Sequence, residues 1–312
     1  MNGPGEAGCV SPMRVLVTGA SGLIGSALVP LLGRQGHEVS RLVRRSPRGA
    51  SEILWDPGGG TVDRAALEGF DAVIHLAGES IVSGRWTRDR KARIRGSRVR
   101  GTRFLSESLA RLERPPRALI SASAIGYYGD RGDEILHEGS GPGQGFLARL
   151  SLEWEDATEP AAARGIRVVL PRIGLVLAPA GGLLQRLLPI FRVGLGGPIG
   201  RGRAWWSWIA LDDLIGIFEF ALYREELRGA ANAVAPRPAS NAEFTRTLGR
   251  VLSRPALLPV PPSALRVAFG EMANEALLSS ARAEPARLKE AGYSFRFPEL
   301  DGALRHVLAK AA

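Results

Sequence analysis

The segment Val15-Leu-Val-Thr-Gly19-Ala-Ser-Gly22-Leu-Ile-Gly25 constrains this chain more than any other. An apolar run enters a loop with three glycines, and the loop opens into helix-forming sequence. Glycine tolerates positive φ and carries no Cβ, so the chain can turn tightly and bring its backbone against a ligand. The first N–H groups of the following helix lack intrahelical partners, and the helix dipole places partial positive charge there. Together they make a seat for a diphosphate, formed by Gly19, Ser21, Gly22, Leu23, Ile24 and Gly25. The spacing is G-x-x-G-x-x-G, not the G-x-G-x-x-G of the usual dinucleotide fingerprint. Its weight comes from its position between a strand and a helix at the head of a β/α alternation. A helix-capping turn without a ligand would not need three glycines.

That alternation runs to about residue 170. Strands are expected at Arg14–Thr18, Glu38–Val43, 53–55, 71–76, 118–122 and 166–170, and helices at 22–34, 87–112 and 144–164. Alternating elements argue for an α/β fold, a Rossmann-like doubly wound parallel sheet with helices on both faces. After Pro171 prolines, loops and shorter helices dominate, with helices expected at Leu211–Tyr223, 241–253 and 299–309. The expected organisation is a flexible leader (1–12), a nucleotide-binding Rossmann domain (13–175) and a smaller, mostly helical substrate-side domain (176–312) that returns a strand to the sheet.

Composition narrows the function classes. The chain is 45% hydrophobic and 23% charged, as ordinary globular domains are. No apolar run reaches the ~18 residues of a membrane span, and the leader lacks the pattern of a secretory signal. The single cysteine, Cys9, excludes an intrachain disulfide, and a cytoplasmic location is expected. The net charge of +10 raises nucleic-acid binding. The densest basic stretch, residues 85–103, spreads its arginines around a helix with no aromatic among them beyond Trp86 at its start, so it reads as a solvated basic surface. A basic protein also draws anionic small molecules. His37, His137 and His306 show no ligand spacing, and no metal site is expected.

The second strand ends Arg41-Leu-Val-Arg44-Arg45. A carboxylate near this end would hold the ribose 2′-OH of NAD. None is present, and Glu38 is at the wrong end. The planar fork of Arg44 or Arg45 suits a 2′-phosphate, so NADP(H) is the expected cofactor. Leu76, Ala77 and Gly78 end the third principal strand with small residues that let a cofactor approach, and Glu79 stands at the mouth. His75, beneath the seat, reads as structural.

These segments, with Gly101-Thr102 and Ser121-Ala-Ser-Ala-Ile-Gly-Tyr-Tyr-Gly129, follow the order seen in extended short-chain dehydrogenases/reductases. Ser97-Arg98, Gly145-Phe-Leu-Ala148, Trp154-Glu155, Gly194-Leu-Gly-Gly-Pro198, Trp206-Ser-Trp-Ile209, Asp212-Asp213, Asn232-Ala-Val-Ala-Pro236 and Asn241-Ala-Glu-Phe244 narrow the match. From Met13 onward the chain resembles the epimerase-family proteins of the atypical short-chain group, with their C-terminal domain of unknown function. The resemblance implies NADP binding and oxidoreductase-like or sugar-epimerase-like chemistry on a small molecule.

Extended reductases carry a Ser or Thr after the fourth strand and a Tyr-x-x-x-Lys helix. Ser123 matches the serine, and the resemblance gives it the task of orienting a carbonyl or hydroxyl. Phe146 and Leu150 stand where the tyrosine and lysine are expected, and Arg149 faces about 100° away. The usual proton transfer is therefore missing. Tyr127 and Tyr128 are the candidate replacements, each weighed against a packing role, and Asp133, Glu134 and Glu138 read as loop carboxylates. Trp206 and Trp208 could stack on a substrate ring with Arg203 taking an anionic group, or could anchor the two domains. Two functions remain open: an NADP(H)-dependent oxidoreductase or epimerase-like enzyme, and a catalytically silent NADP(H)-binding sensor. Either a monomer or a homodimer is compatible with the arginine load on the helix holding Gly101.

Overall fold

The computed structural model describes residues 11–82 and 84–310; Cys9 lies outside them. Its main sheet contains β1 (Arg14–Thr18), β2 (Glu38–Val43), β3 (Glu52–Asp56), β4 (Thr61–Val62), β5 (Ala72–His75), β6 (Ala118–Ser121), β7 (Arg167–Ile173) and β8 (Gly229–Ala233). Their order is β8-β7-β6-β5-β1-β2-β3-β4. Every neighbouring pair is parallel except β3–β4, a hairpin on the edge. This is the expected doubly wound sheet.

Strand alternation sorts the core. Val15, Val17, Ile74 and Ile120 face α1 (Leu23–Arg34) and its neighbour Leu211–Tyr223, where Leu28, Leu32, Ile217 and Phe218 meet them. Leu16, Val73 and Leu119 face the other way, onto Leu105 and Leu109. Both faces are covered, which is why these strands read as unbroken apolar runs. A second cluster, with Leu184, Phe191, Trp208, Phe244 and Leu304, forms the centre of the C-terminal part.

The helix expected over 87–112 is three segments: α2 (Arg88–Arg95), a π-helical turn (Gly96–Arg100) and α3 (Gly101–Ala110). Gly96 and Gly101, weak helix formers, flank the turn. Much of the basic charge here is neutralised within the chain, through Arg90–Glu79, Lys91–Glu271, Arg95–Glu153 and Arg103–Glu159 pairs. The fourth helix used below, α4, is Phe146–Asp156. Among the described residues no helix is long and apolar enough to cross a membrane.

Candidate nucleotide-binding site

The sheet order reverses between β1 and β5, and crevices at such switch points bind ligands at the carboxyl ends of the strands. The glycine loop leaves β1 there. Gly19 has φ +67°, and a Cβ on it would lie 2.6 Å from the Leu76 carbonyl carbon. A Cβ on Gly25 would lie 2.7 Å from Ala20 Cα and strike the Gly19 carbonyl oxygen. Both glycines are therefore fixed by backbone packing. Gly22 differs: its Cβ would meet only the Gly19 oxygen, at 3.3 Å. Gly22 and Ser21 are exposed, and Gly22 caps α1 without any side-chain hydrogen bond. The helix N-terminus thus opens outward beside the least crowded of the three glycines. Leu23 and Ile24 are half-buried, and Leu23 packs against Gly181 of the C-terminal part.

A chain of polar side chains joins the two strands at the switch point. Thr18 Oγ1 accepts hydrogen bonds from the Leu76 and Ala77 amides (3.1 and 3.2 Å). Its own proton then goes to His75 Nδ1, 2.7 Å away. That assigns the proton on His75 to Nε2, which donates to Thr102 Oγ1 at 2.9 Å. Trp154 Nε1 donates to the same oxygen. His75 is wholly buried, and desolvation, aided by the Arg98 charge, lowers its pKa to about 4. It is neutral at pH 7, a strut between strands.

At the end of β2 the two arginines part company. Arg45 forms a bidentate pair with Glu52 (2.7 and 2.8 Å), and that pair and the Arg48 amide lower the Glu52 pKa to about 2. Arg44 is exposed and has no hydrogen-bond or ion-pair partner among the described residues. Gly78 is exposed at the end of β5, while Glu79 faces Arg90.

Ser123 is buried and donates to Glu155 Oε1 at 2.6 Å. Glu155 is held in turn by a bidentate pair with Arg172 (2.8 Å for each bond). Tyr128 is fully buried; its hydroxyl accepts from Arg172 and donates to Asn232 Oδ1. Burial raises its pKa despite the neighbouring guanidinium. This engagement gives Tyr128 a structural place, the packing role weighed for it beside proton transfer. Tyr127 differs: its hydroxyl has no partner among the described residues, and the Arg172 guanidinium lies 3.5 Å from its ring centroid. Glu138, read as a loop carboxylate, is buried and accepts from the Asn232 amide. Asp133 receives the Trp205 indole N–H, and Glu134 pairs with Arg131. Sequence reasoning missed Arg172, Glu155 and Asn232 as one assembly, because they converge only in three dimensions.

Phe146 and Leu150 sit in an apolar cluster with Trp86, Ile94, Met272 and Phe269. Glu275 closes it by accepting the Phe146 and Leu147 amides (2.9 and 3.0 Å) at the α4 N-terminus. The C-terminal part thus packs where the tyrosine and lysine would have pointed. Trp206 and Trp208 are buried in the C-terminal core, a packing place that matches the anchoring alternative and not the stacking one. Trp205 is the partly accessible indole, with Arg282 over its ring, and Arg203 is exposed. Asp213 is buried and accepts the Arg296 and Phe297 amides.

A family model described as the NAD dependent epimerase/dehydratase family matches residues 15–233. The chain belongs to that family. A second model, a domain of unknown function (DUF1731), matches residues 260–307. Relatives include the epimerase family protein MT2273 of Mycobacterium tuberculosis, 44% identical over 95% of this chain and 98% of its own length. The human epimerase family protein SDR39U1 is 38% identical over 95% of this chain and all of its own. A crystal structure of the human protein with NADPH matches with a TM-score of 0.87, covering 95% of this chain and 99% of that one. A structure described as a nucleoside-diphosphate sugar epimerase from Corynebacterium glutamicum matches at 0.79 and 38% identity, over 96% of this chain and 59% of that one.

Proposed function

We propose that this family member binds NADP(H) and serves as an oxidoreductase or epimerase-like enzyme for an anionic or carbonyl-bearing small molecule. The observation that carries the reading is the glycine loop at the switch point, where backbone excludes a Cβ at Gly19 and Gly25 while at exposed Gly22 a Cβ would press only on the Gly19 oxygen, beside an uncapped helix. Those features fit a diphosphate. Arg44, free at the end of β2, suits a 2′-phosphate, and the relative crystallised with NADPH supports that choice. When bound, the nicotinamide supplies or takes up a hydride.

The chain's own contribution is positioning and proton transfer. Glu155 fixes the Ser123 hydroxyl, whose oxygen keeps lone pairs to accept from a substrate hydroxyl. Tyr127, with an unpartnered hydroxyl on a ring that packs against the Arg172 guanidinium, holds the proton to be exchanged. A second reading, a silent NADP(H)-binding sensor, is favoured by the apolar cluster that replaces the tyrosine–lysine pair. Calorimetric titration with NADPH tests cofactor binding, and absence of heat with folded protein defeats both readings. Single-turnover oxidation of bound NADPH by a panel of carbonyl compounds then separates them: oxidation that Tyr127→Phe abolishes supports the enzyme, and silence across the panel supports the sensor.

A further inference from the structure

The large apolar side chains left exposed on this chain are not scattered. Ile190, Val193, Leu195, Leu257 and Leu258 are between 48% and 80% exposed, and two segments distant in sequence bring them together. The first is the end of the helix Gly182–Arg192 and the turn after it, where the Leu195 amide donates to the Ile190 carbonyl at 3.1 Å. The second lies against that turn. The Leu258 amide donates to the Gly196 carbonyl at 3.3 Å, and the Val260 amide to the Pro198 carbonyl at 2.8 Å. A Cβ on Gly194 would lie 3.4 Å from Pro255 Cγ. The helix that follows, Pro262–Phe269, has no buried residue and leaves Val267 exposed. A lone exposed apolar side chain needs no explanation, but a contiguous group of them marks a docking surface.

Charge identifies the occupant. Residues 183–201 and 252–270 contain Arg186, Arg192, Arg201, Arg254 and Arg266 and no aspartate or glutamate. All five arginines are exposed. None has an ion-pair partner among the described residues; Arg254 reaches only the Arg192 and Ser253 carbonyls, and Arg266 the Asn274 side-chain oxygen. Residues 85–103 are as rich in arginine, yet there Glu79, Glu153, Glu159 and Glu271 answer the charge. The apolar tip keeps its positive charge uncompensated. A second copy of this chain would set the same cations against these, and like charges oppose such a contact. An anionic bilayer offers both complements at once, a negative surface with an apolar layer beneath it. Leu257, at the upper end of the exposure range, projects as an inserting group does and not as the wall of a groove.

We propose that this tip docks on an anionic lipid bilayer, with Val193, Leu195, Leu257 and Leu258 entering below the headgroups and the five guanidiniums pairing with lipid phosphates. The attachment is peripheral, since among the described residues no helix is long and apolar enough to cross a membrane. It is independent of the NADP(H) reading.

The test is cosedimentation of the full chain with phosphatidylcholine vesicles, with and without phosphatidylglycerol. The wild type is expected to bind the anionic vesicles alone, and added salt should weaken that binding. Leu257→Ser combined with Leu258→Ser should lower the partition coefficient about tenfold or more, with the melting temperature held because both side chains are exposed. Arg186→Gln combined with Arg192→Gln should lower it by about the same factor. Leu152→Ser, at an exposed position on α4, should leave it unchanged. Equal binding to neutral vesicles overturns the proposal. So does loss in the arginine pair with the leucine pair unaffected, which would be adsorption of a basic chain without insertion. Equal loss in Leu152→Ser overturns it as well. Sedimentation velocity on the same samples reads the other occupants. A dimer that the leucine pair dissociates, with no vesicle binding, gives the patch to a second copy and overturns the proposal. A monomer that stays off both kinds of vesicle gives it to a protein partner, which overturns it equally.

Discussion

Arg172 lies across the ring of Tyr127 while its far side is clasped by Glu155, in a pair whose side chains are 5% and 10% exposed. A buried guanidinium is tolerated only because its countercharge is fixed beside it. Glu155→Gln removes that countercharge and is expected to destabilise the fold by about 3 kcal/mol or more. Urea unfolding monitored by circular dichroism checks it; a midpoint within error of wild type would mean that the pair carries little stability.

Gly22 and Gly25 should fail differently. Gly25→Ala pushes a methyl into the Gly19–Ala20 backbone and should lower the melting temperature as well as cofactor affinity. Gly22→Ala presses its methyl only on the Gly19 oxygen, so the melting temperature should fall less than in Gly25→Ala while NADPH affinity falls about tenfold or more. Thermal melts beside calorimetry distinguish the pair, and equal stability loss in both contradicts the assignment of the open face.

Arg44→Asp is expected to weaken NADPH far more than NADH. Arg45→Ala, which unties Glu52, should affect the two alike. Parallel titrations decide the matter: equal loss of both ligands in Arg44→Asp would show that Arg44 does not read a 2′-phosphate.

His75 predicts a pH dependence. Its folded pKa of about 4 is below the ordinary value of 6.5, so the unfolded chain binds the extra proton first as pH falls. The stability from keeping it neutral is complete above pH 6.5, and it is lost as pH drops from there toward 4. The size is of the order of 3 kcal/mol. Unfolding free energies at pH 7.5 and 4.5 for wild type and His75→Gln should show a larger drop for wild type; equal drops would place the titration elsewhere.

Installing Phe146→Tyr with Leu150→Lys should not restore a reductase. The lysine would enter the cluster of Trp86, Ile94 and Met272, and leaving an ammonium unpaired there is expected to cost about 3 kcal/mol or more. Denaturant midpoints test this, and a stable double variant with improved NADPH affinity would show that α4 faces the cofactor after all.

The glycine loop, the buried strands and the helix Leu211–Tyr223 were legible in sequence, because their signals are local periodicities. The helix Gly182–Arg192, entered through glycines and carrying Pro189, escaped, and the strand returned to the sheet was expected without its place, since Gly229–Ala233 is made of small residues. The site was legible in its backbone half. Its polar half was not: Asn232 reaches Tyr128 across 104 residues, and Glu275 reaches Phe146 across 129, distances at which spacing carries no information. Adjacent Arg44 and Arg45 look alike in sequence, and only the location of Glu52 separates them. Of the two roles open to Trp206 and Trp208, burial matches anchoring, and the partly accessible ring is on Trp205.

Gly145, at φ +102°, has no room for a methyl because the Glu275 carboxylate fills that space. The last part of the chain therefore completes a helix that begins well before it. A chimera that kept the nucleotide-binding half and took its tail from a distant cousin would inherit a bare helix start unless the graft brought its own acid to that spot. In this lineage the two matched segments should have been inherited as a matched set, with exchange by recombination confined to close kin.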